Sequence, residues 1–68
     1  MKGKLEIKVE GILDIKWQDW FDGMAISYER DNTVLVGTVS DESHLHGILN
    51  RIRDLNLKLI SVNPHEEN

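Results

Sequence analysis

Residues 41–62, DESHLHGILNRIRDLNLKLISV, decide the fold because they place a helical repeat directly before a strand. Apolar side chains recur there at intervals of three and four, at Leu45, Ile48, Leu49, Ile52 and Leu55. This spacing predicts an amphipathic helix whose apolar stripe faces a core. Ser40 or Asp41 can cap its start, and Asn56 can take the left-handed conformation that ends many helices. The following LKLISV, residues 57–62, predicts a strand.

The residues before this helix predict three further strands. KLEIKVE, residues 4–10, alternates apolar and charged side chains, a period of two that indicates a strand with one solvent-exposed face. MAISYER (24–30) and TVLVGTV (33–39) flank an Asp-Asn turn signal at 31–32, so we expect a hairpin. The second arm is apolar on both faces, which favours an inner position in the sheet, with Gly37 at a bulge.

A cluster of aromatic residues indicates a short helix between the first strand and the hairpin. Trp17, Trp20 and Phe21 follow the N-cap residue Asp14 at helical spacing. Gly23 can end this helix because glycine tolerates positive φ. We expect one tryptophan to lie in the core. The other is interpreted either as a partly exposed anchor for a partner or as plain core packing.

The predicted order of elements is strand, short helix, two strands, long helix and strand. This order gives an α+β fold of the ferredoxin-like split βαβ type (β-α-β-β-α-β). Right-handed crossovers would place both helices on one face of a four-stranded antiparallel sheet. The open sheet face and the edge strands are then potential docking surfaces. We assign residues 1–62 to one α+β domain and residues 63–68 to a flexible C-terminal tail.

Length and composition restrict the possible functions. A chain of 68 residues has room for one small core, so dimerisation would add stability that the core alone supplies poorly. The formal net charge of -4 has the same sign as a phosphate backbone, and we expect no nucleic-acid partner. The chain has no cysteine, and its N-terminus lacks the apolar run of a signal peptide or membrane span. We therefore expect a soluble, cytoplasmic protein without a membrane partner.

The face of the long helix opposite the apolar stripe is a candidate interaction surface. A helical wheel places Ser43, Gly47, Asn50 and Asp54 there. A glycine in the middle of a helix costs about 1 kcal/mol relative to alanine. One interpretation is that Ser43 and Gly47, both small and four residues apart, let a partner or a second copy approach closely. The other is a tolerated surface glycine.

The same helix carries histidine and arginine side chains, and their spacing argues against a metal site. His44 and His46 point about 200° apart on a helix, so they cannot hold one ion, and we expect no metal or other cofactor. His46 and Arg53 share a flank, where a solvated charge network is the simplest interpretation and a proton carrier the alternative. Arg53 can also hold a backbone carbonyl or a carboxylate through its planar guanidinium. No catalytic residue is assigned, because no nucleophile or second positioned acid accompanies His46.

Two parts of the chain resemble a family of small uncharacterised prokaryotic proteins. In that family a Trp-Phe-(Asp/Glu)-Gly segment precedes a hairpin, and a helix reads Leu-His-Gly before an Arg-Asp-Leu turn. Here these motifs are residues 20–23, 45–47 and 53–55, and the resemblance covers nearly the whole chain. Asn56 stands where the family usually has glycine, and His44 where a small residue is usual. The family has no assigned activity, so the resemblance implies relatives and no function.

The sequence favours a non-enzymatic protein-interaction module that forms a homodimer or docks on another protein. Its candidate surface comprises Trp17, Trp20, Ser43, His46, Gly47, Asn50, Arg53 and Asp54. The alternative is a regulatory module of the same topology that binds a small molecule at the helix start near Ser40 and Asp41. The acidic Asp41 and Glu42 disfavour an anionic ligand there. An enzyme that uses His46 as an acid or base is the third hypothesis.

Overall fold

The computed structural model describes residues 3–21 and 24–65. Its elements are β1 (Gly3–Glu10), a 3₁₀ helix (Ile15–Phe21), β2 (Ala25–Glu29), β3 (Asn32–Val39), α1 (Glu42–Asp54) and β4 (Lys58–Pro64). This is the predicted order, with a 3₁₀ helix where a short α-helix was expected. The predicted helix end at Gly23 lies outside the described residues.

The four strands form one antiparallel sheet with the order β2-β3-β1-β4. β1 pairs along its whole length with β3, from Gly3 opposite Val39 to Glu10 opposite Asn32. β3 is an inner strand, as its two apolar faces predict, and β2 and β4 are the edges. The α+β class, the four-stranded antiparallel sheet and the two helices are therefore confirmed.

One face of the sheet and the two helices enclose a single apolar core. The odd-numbered residues Leu5, Ile7 and Val9 of β1 are buried, whereas the charged residues between them are half-buried on the opposite face. α1 contributes Ile48 and Ile52 to the same core. The period of two in β1 and the three-to-four spacing in α1 thus produce the two faces that pack together.

The β2–β3 hairpin turns one residue earlier than predicted. Glu29 pairs with Asn32, so the turn consists of Arg30 and Asp31, and Asn32 already belongs to β3. Arg30 adopts a positive φ of 57°. A two-residue hairpin needs positive φ in its turn, and Arg30 supplies it although no glycine is present.

Gly37 does not form a bulge, contrary to the prediction. It pairs with Leu5 in a continuous register. A Cβ at this position would lie 2.7 Å from Cγ of Met24, so the glycine makes room for a packed side chain. The irregularity of the sheet lies instead between β1 and β4, where the register shifts between Lys8 and Val9.

Both predicted ends of α1 are confirmed. The Asp41 carboxylate accepts a hydrogen bond of 2.8 Å from the His44 N–H, and Asn56 adopts a φ of 59°. The Leu57 N–H donates to the Ile52 C=O at 3.1 Å, a closure typical of the Schellman motif. This closure brings the last turn of α1 beside the start of β4.

β4 continues through Pro64, beyond the predicted domain end at Val62. The His65 N–H donates to the Lys4 C=O at 2.9 Å, and His65 Nδ1 lies 3.6 Å from Glu6 Oε2. The first residues of the predicted tail therefore lie along β1, and residues 66–68 lie outside the described part of the chain.

Candidate interaction surface

β4 is a sheet edge, and two hydrogen bonds show which of its backbone groups point outward. The His65 N–H donates to the Lys4 C=O, and the Gly11 N–H donates to the Asp31 C=O. Because an antiparallel ladder alternates, even-numbered residues of β1 bond to β4 and odd-numbered residues bond to β3. The β4 residues opposite the even-numbered ones are Lys58, Ser61 and Asn63. The outward groups therefore belong to Leu59, Val62 and Pro64.

An apolar groove runs between α1 and this edge. Its volume is about 340 Å³, and its lining is Leu49, Ile52, Arg53, Leu57 and Leu59. Leu59 is 43% exposed, and its neighbour Ile60 is 47% exposed. Leu59 joins the groove to the outward backbone edge of β4, and Ile60 is the next residue on that edge. We name this region the α1–β4 surface, defined by Leu49, Ile52, Leu57, Leu59 and Ile60.

Three of the predicted site residues border the α1–β4 surface. His46, Asn50 and Arg53 line, together with Leu49, a second depression of about 260 Å³ that meets the groove at Leu49 and Arg53. All three side chains belong to exposed residues, and Arg53 Nη2 lies 3.4 Å from Asn50 Oδ1. An apolar floor with a polar rim is the usual anatomy of a protein interface.

The other predicted residues of α1 lie away from the groove lining. Ser43 and Asp54 are exposed, and Gly47 is half-buried. A Cβ at Gly47 would meet nothing within 4 Å in the described part of the chain. Close approach of a partner to this helix face therefore stays a prediction.

Trp17 and Trp20 form a separate aromatic cluster on the 3₁₀ helix. Their ring centroids are 5.1 Å apart, and Trp20 meets Phe21 edge-on at 5.9 Å. Both tryptophans are half-buried against the core, whereas Phe21 is fully buried. We expected one tryptophan in the core; both pack against the core without being fully buried, and Phe21 is the fully buried aromatic residue of this helix. Neither tryptophan lines the groove.

Arg51, rather than Arg53, makes the carbonyl contact expected of an arginine on this helix. The Arg51 guanidinium donates to the C=O of Trp20 and lies 6.0 Å from the centroid of its ring. This contact joins α1 to the 3₁₀ helix. Arg53 is exposed at the rim of the groove.

The start of α1 is the place where the small-molecule hypothesis put its ligand. The Asp41 carboxylate there accepts the His44 N–H, and His44 Nδ1 lies 3.2 Å from the Ser40 backbone nitrogen. The Asp41 carboxylate thus occupies one backbone N–H that an anionic ligand would need, and its negative charge repels such a ligand.

Within residues 3–21 and 24–65, no three His, Cys, Asp or Glu side chains are grouped so that they could hold a metal ion. In this same part of the chain no helix has the length and apolar character to cross a membrane.

Leu57, Leu59 and Ile60 are not among the residues that the sequence predicts for the site. A signal for them exists, because Leu59 and Ile60 are adjacent apolar residues in a strand that otherwise alternates. Adjacent side chains of a regular strand point to opposite faces, so this pair indicates an exposed apolar residue or a bulge. The structure has both.

The fold and the α1–β4 surface define a small α+β domain with an apolar groove beside a free sheet edge. A protein-family model described as "Domain of unknown function (DUF8691)" matches residues 4–63. The chain belongs to this uncharacterised family. Searches of the curated proteins and of the solved structures found no match to the chain.

Proposed function

We propose that this chain is a non-enzymatic protein-interaction module that self-associates through the α1–β4 surface. The observation that carries the proposal is that exposed Leu59 lines the groove and stands on the edge strand β4 beside exposed Ile60 and outward backbone groups. Soluble proteins usually protect an edge strand with charge or proline along it. In β4 the charge and the proline, Lys58 and Pro64, stand at the two ends, and the bulge at Ile60 interrupts the centre without removing the outward groups of Leu59 and Val62. The apolar centre is therefore suited to pairing.

The size of the domain supports self-association. A chain of this length buries a small fraction of its surface compared with larger domains, so its margin of stability is small. A second copy that covers the groove would remove apolar area from water in both chains at once. Association thus adds to the stability of each folded chain.

We further propose the ferredoxin-like arrangement for the fold. Two observations support it: β3 lies between β1 and β2, and β1 lies between β3 and β4. Side chains from both helices also enter one core. A chain without cysteine is compatible with a reducing cytoplasm, which we propose as its compartment.

A small-molecule site in the groove is the second candidate function. The groove volume of about 340 Å³ favours it, because ligand pockets commonly begin near this size. Such a module would stay monomeric, and its melting temperature would rise only when its ligand is added.

Sedimentation equilibrium of four purified chains tests the proposal. Leu59→Lys places a charge on the apolar edge, and Ile12→Lys makes the same change at a residue that is 60% exposed elsewhere. Both changes lower the net negative charge, so added repulsion between chains cannot explain a loss of association. Gly47→Leu probes the outer face of α1, where an added Cβ meets no neighbour within 4 Å in the described residues.

We expect a wild-type dimer that Leu59→Lys weakens at least tenfold and that Ile12→Lys and Gly47→Leu leave intact. A dimer broken by Gly47→Leu and not by Leu59→Lys would move the interface to the outer face of α1. A wild-type monomer up to millimolar concentration would reject self-association.

A further inference from the structure

β4 turns its backbone groups outward at Leu59 and Val62, on either side of a bulge. In a regular edge strand, every second residue turns its N–H and C=O outward. In β4 the outward residues Leu59 and Val62 are three positions apart, because Ile60 is the extra residue of the bulge before Ser61. They nevertheless lie one ladder step apart, because they pair with Val9 and Ile7, which are two positions apart on β1.

An inverted second copy of β4 presents the same two residues at the same distance from each other. We propose that two chains pair antiparallel through β4, with Leu59 of each copy opposite Val62 of the other. This inference rests on the proposed self-association and specifies its register. Each such pair exchanges two backbone hydrogen bonds, so the two-fold arrangement forms four. A register that places Leu59 opposite itself forms two. A register that places Val62 opposite itself also reaches four, but it sets Leu59 of each copy against Pro64 of the other, which has no N–H to donate.

Backbone hydrogen bonding between the two copies of β4 cannot extend beyond these four bonds. The next outward pair would set Pro64 of one copy opposite Leu57 of the other. Pro64 has no N–H, and the Leu57 N–H already donates to the Ile52 C=O at 3.1 Å. Pairing is thus confined to the segment between them, and Pro64 stands on the outward side of an edge strand, where a missing donor is tolerated.

The side chains that would face each other in this register are compatible. Leu59 and Val62 pair with core-facing residues of β1, so both point to the helix-bearing face and meet as an apolar pair. Lys58 falls opposite Asn63, and both lie on the other face of the sheet. No like charges oppose each other across the strands, although each copy has a net charge of -4.

Cysteine cross-linking tests the register directly, because the chain has no cysteine of its own. Lys58 and Asn63 are exposed, so Lys58→Cys and Asn63→Cys leave the core unchanged. In the proposed register the two positions form a non-hydrogen-bonded pair with Cα atoms about 4.5 Å apart, within the range of a disulfide. Two copies of Lys58 are about 14 Å apart, because Lys58 and Asn63 stand opposite Glu10 and Glu6, four positions apart on β1.

The two variants are mixed in equal amounts under mild oxidation, and the products are separated by mass. We expect the mixed disulfide dimer to dominate, while each variant alone stays largely unlinked. Lys58→Cys mixed with Ser27→Cys, an exposed position on β2 at the other edge, is the matched control and should stay unlinked.

Sedimentation of the same samples under reducing conditions separates the two proposals. A reduced dimer that gives no mixed disulfide, or that links each variant to itself, overturns the register while self-association stands. A monomer overturns both the register and the proposed function. A reduced dimer with a dominant mixed disulfide supports both.

Discussion

Thr33 illustrates how one buried hydroxyl fixes a loop. Its side chain is fully buried, and its Oγ1 accepts the Leu13 N–H at 2.9 Å and donates to the Gly11 C=O at 2.7 Å. The Tyr28 hydroxyl donates to the Leu13 C=O as well. The segment that follows β1 is therefore fastened to the hairpin through two side chains.

Thr33→Val keeps the shape of the side chain and removes both hydrogen bonds of the hydroxyl. We expect it to lower the free energy of unfolding by about 1–3 kcal/mol, because the Leu13 N–H and the Gly11 C=O lose this partner inside the protein. Urea unfolding measures the change. Thr38→Val, the same substitution at an exposed position of β3, is the control and should change stability by less than about 0.5 kcal/mol. Equal effects at both positions would contradict the role of the buried hydroxyl.

At the scale of elements, two glycines have opposite surroundings. Gly37 in β3 is small because Met24 packs against it, and Gly47 in α1 has open space where a Cβ would be. The sequence presents both as glycine inside a regular element. Only the packing of neighbouring elements distinguishes them.

Alanine at these two positions should therefore change stability with opposite signs. We expect Gly37→Ala to destabilise by about 1–3 kcal/mol, because the Cβ and Cγ of Met24 must move. Gly47→Ala should stabilise by about 1 kcal/mol through helix propensity. Chemical unfolding of both variants measures the difference, and a stabilising Gly37→Ala would show that Met24 does not depend on this space.

The two arginines of α1 allow a second matched comparison, between a contact that joins two helices and an exposed side chain. Arg51→Met keeps most of the apolar stem and removes the donor to the Trp20 C=O, so we expect a loss of about 1.5–3 kcal/mol and a change in tryptophan fluorescence. Arg53→Met removes an exposed guanidinium and should alter stability by less than about 0.5 kcal/mol. Similar losses for both variants would reject the Arg51 contact as the link between the helices.

Local signals were sufficient to predict the elements and insufficient to predict the site. Asp41 and Asn56 mark the ends of α1 because capping depends on residues that are neighbours in sequence. The floor of the groove depends on how α1 meets β4, and the partner of Arg51 lies 31 residues away. A helical wheel gives a direction for each side chain and no information on what it meets. It therefore found the rim of the groove and missed Leu57 and Leu59.

At the scale of the whole molecule, self-association links stability to concentration. For a dimer that dissociates on unfolding, we expect the melting temperature to rise by about 3–5 °C for each tenfold increase in protein concentration. Scanning calorimetry at several concentrations measures this slope. Leu59→Lys should remove it, and Ile12→Lys should retain it. A wild-type melting temperature independent of concentration would contradict a dimer.

The central place of β1 in the sheet affects how the chain folds while it is being made. β1 leaves the ribosome before the strands on either side of it, since Gly3 pairs with Val39 and Leu5 pairs with Pro64. Contacts this distant in sequence form late, because the intervening loop must close first. A nascent chain with β3 already paired still lacks β4, and one long side of β1 stays unbonded until Pro64 has emerged. The domain therefore completes its fold only after Pro64 has emerged, and until then β1 is the part on which a chaperone would act.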